Sequence, residues 1–283
     1  MFDRRTMNAM IFRDTEQRYE SDETLKSVVE KSQRDQKLIF ADDEVCYEEI
    51  PYRQGTVLVS GKRTLEASEP YAKQGKKVCV LNFASATNPG GGVVYGASAQ
   101  EEAICRCSTL YPCLNTFEMW NDFYMPHREA DNPLYNDDCI FTPNVKVFKS
   151  DIDFPELLPE QEWWDVDVIT CAAPNLRERP SNRMNPNAGS KSAEITYNGL
   201  VELHTSRIEK IFQVAIANKA EVLILGAFGC GAFRNPPELV SEVFAEFTKK
   251  YRYYFDVIEF AVYHTGRETP NFVAFNDAMK GFA

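Results

Sequence analysis

Three nearly continuous apolar runs of strand length stand out along this chain. They lie at 77–83, 166–173 and 221–228, and a segment rich in glycine, proline or asparagine follows each of them. An apolar run without alternation is typical of a strand that is buried on both faces of a parallel sheet. The pattern therefore predicts a central sheet with a layer of helices on each side.

Shorter apolar segments predict the rest of this sheet and the layers that cover it. Further strands are expected within 37–50 and at 56–60, 139–148 and 257–263. Apolar residues at helical spacing predict helices at 66–75, 98–110, 192–219, 236–251 and 272–279. The alternation of strands and helices predicts one three-layer α/β/α sandwich with a mixed, largely parallel central sheet.

The first 36 residues differ from the rest because they are mainly polar and charged. Their few apolar positions, Leu25, Val28 and Val29, fit one weakly amphipathic helix. We therefore expect a helical N-terminal extension at 1–36, followed by one larger domain at 37–283.

Three further segments fall outside the alternation of strands and helices. Residues 115–136 are rich in aromatic residues, proline, asparagine and aspartate, so we expect irregular structure with a helical turn or two. Residues 174–192 contain three prolines and four asparagines, which indicates a long loop of the kind that often covers or binds a ligand. Residues 148–151 are interpreted as the ordinary exit from a strand, without a functional role.

Composition and charge narrow the class of protein. Hydrophobic residues make up 44% and charged residues 26%, which is typical of a globular protein and excludes a disordered one. Without a signal peptide or an apolar run of about 18 residues, we expect a cytoplasmic or nuclear protein with no membrane contact. The net charge of −11 argues against DNA binding, but backbone amides could still hold a small anionic ligand.

The eight cysteines form no Cys-x-x-Cys pair, and the three histidines are scattered along the chain. A chain of this length needs no disulfides to fold, so we interpret the cysteines as reduced thiols. Because the usual spacings of zinc ligands are missing, we expect no metal site.

A glycine-rich segment followed by two glutamates is the strongest candidate for a site. The run from Asn82 to Gly92 ends in Asn-Pro-Gly-Gly-Gly, and Gln100-Glu101-Glu102 follows after seven residues. Consecutive glycines let a ligand approach the main chain closely, and paired carboxylates are the groups that glycosyl chemistry uses. The alternative is a solvated first helical turn whose glutamates interact with the helix dipole, with Asn82 and Asn88 as turn formers.

A second glycine loop, 226–233, follows the apolar run that ends near it. Its amides could hold a diphosphate, because it lies between a buried strand and a helix. The alternative is a tight turn without a ligand. Phe233 has two interpretations of equal weight, a core residue or a ring that stacks on a base or ribose. Both glycine loops are expected at the same edge of the sheet.

These residues resemble the signature of microbial-type poly(ADP-ribose) glycohydrolases, which is Gly-Gly-Gly, six to eight residues, then Gln-Glu-Glu. The gap here is seven residues, and the flanking segments Leu81–Ser85, Asn88-Pro89, Cys105-Arg106 and Leu110–Pro112 also agree. Residues 226–236 resemble the diphosphate loop of the same family. The resemblance is expected to begin near Phe40 and to leave the N-terminal extension and the 174–192 loop outside.

The resemblance implies a macrodomain fold and hydrolysis of ribose–ribose O-glycosidic bonds in poly(ADP-ribose), with release of ADP-ribose. Glu102 would be the general acid and base, its pKa raised by the Glu101 charge and the substrate diphosphate, and Glu101 would hold ribose hydroxyls. The first loop would approach the distal ribose, the second would surround the diphosphate, and Phe233 would stack on the nucleotide. The expected substrate-binding residues are Asn82, Ala84, Asn88, Gly91, Gly92, Val93, Gln100, Gly226, Gly229, Cys230, Gly231, Ala232 and Phe233.

The same resemblance implies no metal and no redox cofactor. Its expected partners are poly(ADP-ribose), ADP-ribose and ADP-ribosylated proteins, in the reversal of ADP-ribosylation that accompanies the DNA damage response, and the protein is expected to be a monomer. Three alternatives stay open: a non-catalytic reader of ADP-ribose, a hydrolase of mono-ADP-ribosylated proteins or O-acetyl-ADP-ribose, and a general nucleotide-binding α/β enzyme. The presence of both Glu101 and Glu102 favours a hydrolase, because a reader does not need the acid.

Overall fold

The computed structural model describes residues 3–50, 53, 55–183 and 185–282. Within this part of the chain a single sheet lies at the centre of the molecule. Its strands are β1 (Lys37–Ile39), β2 (Thr56–Ser60), β3 (Val78–Phe83), β4 (Cys139–Val147), β5 (Trp164–Cys171), β6 (Val222–Leu225) and β7 (Val257–Ala261). Their order across the sheet is β1-β4-β5-β3-β6-β7-β2.

The directions of the strands confirm the predicted mixed, largely parallel sheet. β5, β3, β6, β7 and β2 run parallel to one another, in that order. β4 is antiparallel to β5, and β1 is antiparallel to β4. The carboxyl ends of the five parallel strands therefore meet at one edge of the sheet, where α/β proteins bind their ligands.

Helices cover both faces of the sheet. They are α1 (Arg4–Ser21), α2 (Glu23–Asp35), α3 (Thr64–Lys73), α4 (Gln100–Cys107), α5 (Leu110–Leu114), α6 (Phe117–Met119), α7 (Met125–Ala130), α8 (Tyr197–Ala217), α9 (Pro237–Tyr251) and α10 (Pro270–Met279). Short 3-10 turns lie at Val93–Tyr95, Glu160–Glu162, Arg252–Tyr254 and Lys280–Phe282. No helix in the ranges described above is long and apolar enough to cross a membrane.

Two hydrophobic cores lie on opposite faces of the sheet, because successive residues of a strand point to opposite sides. In β3, Val78 and Val80 belong to one core, with residues of α1, α3, α4 and α5. Cys79 and Leu81 belong to the other, with residues of α8, α9 and α10. This arrangement confirms the predicted three-layer sandwich.

The N-terminal segment forms two helices where one was predicted. The Asp22 carboxylate accepts hydrogen bonds from the amides of Thr24 and Leu25, so α2 begins there as a separate helix. Leu25 and Val29 form the buried side of α2, whereas the buried residues of α1 are polar or aromatic. The apolar pattern therefore revealed only α2. The division of the chain at residue 36 stays a prediction.

Two other segments differ from the prediction. Only Lys37–Ile39 of the segment 37–50 is a strand, because a turn closes directly afterwards, where the Asp43 carboxylate accepts from the Phe40 amide at 2.8 Å. Residues 117–130 are helical where irregular structure was predicted, with a π-helical turn at Trp120–Tyr124 between α6 and α7. The aromatic residues of this segment pack on one another, as Phe123 does on Tyr124 with ring centroids 5.0 Å apart. Such contacts between aromatic rings outweigh the tendency of this segment, rich in proline, asparagine and aspartate, to form a loop.

A buried ion pair connects α8 to the sheet. The Arg207 side chain is fully buried, and its Nε donates to Oδ1 of Asp137 at 2.8 Å. Its Nη1 donates to the carbonyl of Ala172, just after β5, at 2.8 Å. Removing one partner of such a pair leaves the other charge buried and unpaired.

We expect Arg207→Ala to lower the free energy of unfolding by about 3–5 kcal/mol, because Asp137 then lacks its cation. Lys280→Ala is the control, since Lys280 forms an exposed ion pair with Asp277. That variant should stay within about 0.5 kcal/mol of the wild type. Urea unfolding of the three proteins measures the differences, and equal values for both variants would contradict the prediction.

Candidate active site

A cavity of about 530 Å³ opens at the edge of the sheet where the parallel strands end. Its walls include Phe83 at the end of β3, Ser85 shortly after it, Ala227 after β6, and Val262 and Tyr263 after β7. The two glycine loops therefore face one cavity, as the sequence predicted from the direction of the strands.

Glu101 lies in the first turn of α4, and its carboxylate is almost completely buried. Oε2 accepts a hydrogen bond from the Ser85 amide at 2.8 Å, and Oε1 accepts a longer one from Nδ2 of Asn82 at 3.4 Å. Burial raises the pKa of Glu101 well above its usual range, and the charge of Glu102 raises it further, whereas the Ser85 amide lowers it. Both oxygens of Glu101 are thus held by the end of β3 and the residues after it.

Glu102 is buried at the wall of the cavity, with 7% of its surface exposed. Oε1 accepts a hydrogen bond from the Gly92 amide at 2.9 Å. Oε2 is buried and has no hydrogen-bond partner among the described residues. Burial raises the pKa of Glu102, and the Gly92 amide opposes this. The sequence suggested the charge of Glu101 and the substrate diphosphate as causes, whereas in the structure desolvation raises this pKa and the charge of Arg106 lowers it.

Gly91 shows why the first loop needs glycine. Its φ is +57°, in the left-handed region. A Cβ atom there would lie 2.6 Å from Oε1 of Glu102 and 3.0 Å from Oε2 of Glu101. The loop can therefore lie directly against both carboxylates only because this side chain is absent.

The second glycine loop is held by an asparagine that the sequence did not single out. Asn235 donates from Nδ2 to the carbonyls of Pro174 at 2.8 Å and of Gly229 at 3.1 Å. Its Oδ1 lies 2.9 Å from Nε2 of His204 on α8, and burial lowers the pKa of this histidine to about 4. Gly229 itself has a φ of +74°, and a Cβ there would lie 2.5 Å from Ala173 and Asn235. These contacts fix the loop beside the cavity.

The structure brings most of the predicted site residues to the cavity wall. Those that line it are Gly91, Gly92, Gln100, Glu101, Glu102, Gly229, Gly231, Ala232 and Phe233. The other predicted residues are outside the lining formed by the described residues: Asn82, Ala84, Asn88, Val93, Gly226 and Cys230. The roles of both groups as catalytic or substrate-binding residues stay predictions.

Two of these predicted residues support the site from within the protein. Gln100 accepts from the Phe83 amide at 2.8 Å and donates to the Leu81 carbonyl at 2.7 Å, so it ties α4 to β3. Asn82 is fully buried, and its Nδ2 donates to Oε1 of Glu101. The side chains of both residues thus connect β3 to the helix that carries the carboxylates.

The long loop 174–192 contributes lining residues that the sequence did not name. Oδ1 of Asn185 accepts hydrogen bonds from Oγ1 of Thr87, at 2.7 Å, and from Nδ2 of Asn88. Nδ2 of Asn185 donates to Oγ of Ser85 at 3.1 Å. The loop is therefore attached to the first glycine loop at the cavity. Composition predicted the loop but gave no signal for which asparagine makes these contacts.

Further unpredicted residues lie towards β7 and β2. Arg63 forms an ion pair with Asp153, lies 4.2 Å from the centre of the Tyr263 ring, and lines the cavity with Tyr263 and Arg4. Asp151, to which the sequence assigned no role, also lines the cavity and accepts from the Leu65 amide at 3.1 Å. Burial raises the pKa of Asp151. Its partners are remote in sequence, so spacing could not reveal it.

The family described as microbial-type PARG, catalytic domain, has a model that matches residues 6–150 of this chain. The matched segment includes the first glycine loop, both glutamates, all of α2 and α1 from its third residue onward. Our expectation that the resemblance begins near Phe40 was therefore wrong. A search of curated proteins returned no match.

Solved structures of bacterial enzymes are similar over nearly the whole chain. Poly(ADP-ribose) glycohydrolase from Thermomonospora curvata is 28% identical, with 97% of this chain and 100% of that chain covered and a TM-score of 0.81. The same enzyme bound to the inhibitor ADP-HPD is 29% identical, with 96% and 98% covered and a TM-score of 0.75. Poly(ADP-ribose) glycohydrolase from Deinococcus radiodurans, in complex with ADP-ribose, is 28% identical, with 89% and 97% covered and a TM-score of 0.76.

We expect Gly91→Ala to abolish the close approach of the first loop to the carboxylates and to destabilise the protein. Gly75→Ala is the matched control, because Gly75 also has a positive φ but a Cβ there would meet nothing within 4 Å. Gly75→Ala should lower the free energy of unfolding by about 1 kcal/mol, as expected for backbone strain alone. Gly91→Ala should lower it by about 1–3 kcal/mol more, since a steric clash is added. Urea unfolding that gives equal losses for both variants would contradict this.

Proposed function

The chain belongs to the family of microbial-type poly(ADP-ribose) glycohydrolases, and from this membership we propose that it hydrolyses the ribose–ribose O-glycosidic bonds of poly(ADP-ribose) to release ADP-ribose. Support comes from the two glycine loops that face one cavity and from the buried pair of glutamates in its wall. The solved structures named above add support, because they include complexes with ADP-ribose and with an inhibitor.

The free oxygen of Glu102 is the observation that carries the assignment of the catalytic residue. Oε1 is held by the Gly92 amide, whereas Oε2 is buried at the cavity wall without a partner among the residues that the structure describes. Buried polar atoms in proteins are nearly always hydrogen-bonded, so a substrate atom is the natural partner of Oε2. Glu101 differs, because hydrogen bonds from β3 and the following residues hold both of its oxygens. This difference supports Glu102 as the acid and base and Glu101 as a residue that orients the ribose.

The chemistry follows from the raised pKa of Glu102. The neutral acid donates its proton to the departing ribose oxygen as the bond from that oxygen to the anomeric carbon breaks. An oxocarbenium-like centre forms, and the negative diphosphate of the substrate and the dipoles of the loops stabilise it. The resulting carboxylate then takes a proton from water as the water oxygen bonds to the anomeric carbon. One glutamate thereby serves both steps and is regenerated.

The second glycine loop is proposed to bind the diphosphate. Gly231 and Ala232 are exposed at the cavity, and Phe233 is half-buried beside them. Main-chain amides in such loops bind anions without a positively charged side chain, which suits a protein of net charge −11. The Phe233 ring lies 6.2 Å from the ring of Tyr135, so it is supported from one side and can stack on the nucleotide with the other.

The remaining partners are also proposed from the membership of the family. The protein would act on polymer attached to ADP-ribosylated proteins, as a monomer in the cytoplasm or nucleus, without direct contact with DNA or membranes. No metal or redox cofactor takes part in the proposed reaction.

We expect Glu102→Gln to lower the rate of polymer hydrolysis by about 100- to 10,000-fold, because the variant has no proton to donate. Its dissociation constant for ADP-ribose should stay within about threefold of the wild type, since amide and carboxylic acid have the same shape. Product release from purified poly(ADP-ribose) and calorimetric binding of ADP-ribose measure both values. The control is Glu202→Gln, which makes the same change at an exposed position of α8.

Two results would contradict this assignment. If the wild type binds ADP-ribose but does not cleave the polymer, the protein is a reader or acts on another linkage. An ester-linked mono-ADP-ribosylated protein, assayed in parallel, distinguishes these two. If Glu102→Gln cleaves as fast as the wild type, another residue is the acid.

The raised pKa of Glu102 also predicts the pH dependence of activity and stability. Activity should fall as the pH rises through the pKa of Glu102, because the acid form is lost. Below the unfolded-state pKa of this glutamate, its titration does not affect stability. As the pH rises from the unfolded-state pKa to the higher folded-state pKa, stability is lost, by about 1.4 kcal/mol in total for each unit by which the two pKa values differ.

Glu102→Gln should therefore be more stable than the wild type near pH 8 and show no such gain near pH 4. Urea unfolding of both proteins at about these two pH values tests this, with Glu202→Gln again as the control. A gain that is equal at both values would show that the burial of the charge is not its cause.

A further inference from the structure

One face of α1 is buried although only part of it is apolar. Asn8, Phe12, Thr15 and Tyr19 lie at the spacing of a single helical face, and all four are buried. This face packs against the 3-10 turn Val93–Tyr95 and against α4. These two elements directly follow the first glycine loop, and α4 carries both glutamates.

Asn8 contacts the turn that begins at Gly92. Its Nδ2 donates to the Gly96 carbonyl at 3.2 Å, in a buried position. The Gly92 carbonyl accepts from the amides of Tyr95 at 3.0 Å and Ala97 at 3.1 Å, which closes the turn. Gly92 is also the residue whose amide binds Glu102. Asn8 thus holds one end of a closed turn, and the partner of Glu102 lies at the other end.

Gly96 shows how tightly α1 lies against this turn. Its φ is +75°, and a Cβ there would lie 1.9 Å from the carbonyl oxygen of Arg5. The main chain of α1 is therefore in direct contact with the main chain of the turn.

Phe12 and Thr15 extend the contact surface of α1 to Tyr111 and Arg106. Phe12 packs edge-to-face on Tyr111, with ring centroids 4.9 Å apart. The ring of Tyr111 in turn lies against Gly90, where a Cβ would be 2.7 Å from Cδ2 of Tyr111. Oγ1 of Thr15 donates to the Arg106 carbonyl at 2.6 Å, one helical turn after Glu102. Helix α1 therefore contacts the segment that carries Glu102 at three points.

We propose that Asn8, Phe12 and Thr15 are positioning residues, through which α1 sets the place of the Gly92–Glu102 pair relative to the bound ribose. This inference rests on the proposed function, since it concerns the geometry of that reaction. A displacement of about 1 Å at a reacting group can lower a rate as much as 100-fold. Binding of ADP-ribose should depend less on α1, because the second glycine loop is held by Asn235 and His204 instead.

Asn8→Ala tests the proposal, and Ser32→Ala is the matched control. Oγ of Ser32 on α2 is fully buried and donates to the Asn144 carbonyl in β4 at 3.2 Å, so the control also removes a buried bond to a main-chain carbonyl. Thr15→Val and Thr15→Ser form a second pair, of which only the serine keeps the hydroxyl. The measurements are kcat on poly(ADP-ribose), the dissociation constant of ADP-ribose, Tm, and hydrogen–deuterium exchange of residues 92–97 without substrate.

Asn8→Ala should lower kcat by about tenfold or more, with the ADP-ribose dissociation constant within about threefold of the wild type. Exchange at residues 92–97 should accelerate in Asn8→Ala but not in Ser32→Ala, which should also keep its kcat. Thr15→Val should lower kcat in the same way, and Thr15→Ser should restore most of the loss.

The proposal is overturned if Asn8→Ala keeps kcat within about twofold of the wild type while its Tm falls as far as that of Ser32→Ala. In that case α1 stabilises the fold without setting the site. If the wild type fails to cleave polymer, the proposed function is wrong. The exchange of residues 92–97 then still decides whether Asn8 orders the turn beside Glu102.

Discussion

Two adjacent carboxylates buried at the end of a central strand are the constraint on which this structure depends. Burying a charged or polar group without partners costs several kcal/mol, so each carboxylate needs amides close by. The Ser85 and Gly92 amides meet this need, and both lie in one loop that can approach only because Gly91 has no side chain. The positions of the loop, the start of α4 and the buried face of α1 therefore depend on one another.

Much of the fold and the centre of the site could be predicted from the sequence, for identifiable physical reasons. Apolar runs such as that of β3 reveal strands buried on both faces, and parallel strands bring the loops after them to one edge. Gly91, Glu101 and Glu102 were predicted because they lie in one short motif, and the resemblance of that motif to the glycohydrolase signature favoured a site over a solvated helical turn. For the buried strands and for this motif, the sequence signal that predicts the structure lies within about 20 residues.

Other features were missed because their signal is not local. The buried face of α1 consists of Asn8, Phe12, Thr15 and Tyr19, and it is complementary to polar main-chain groups that belong to a distant turn. Asp151 and Asn185 reach the cavity through partners far away in the sequence. The hydrophobic periodicity of the sequence does not reveal such contacts, because they depend on tertiary packing.

The pairing of β2 with β7 has a consequence for the order in which the chain folds. Thr56 lies beside Val257, so the edge strand near the start of the chain finds its partner only when almost all of the chain is available. Contacts between such distant residues form late, because a long loop must close first. Arg63 follows β2 and completes the rim of the cavity with Tyr263, which follows β7. A nascent chain therefore holds the glutamates and the first glycine loop well before it holds a closed binding site.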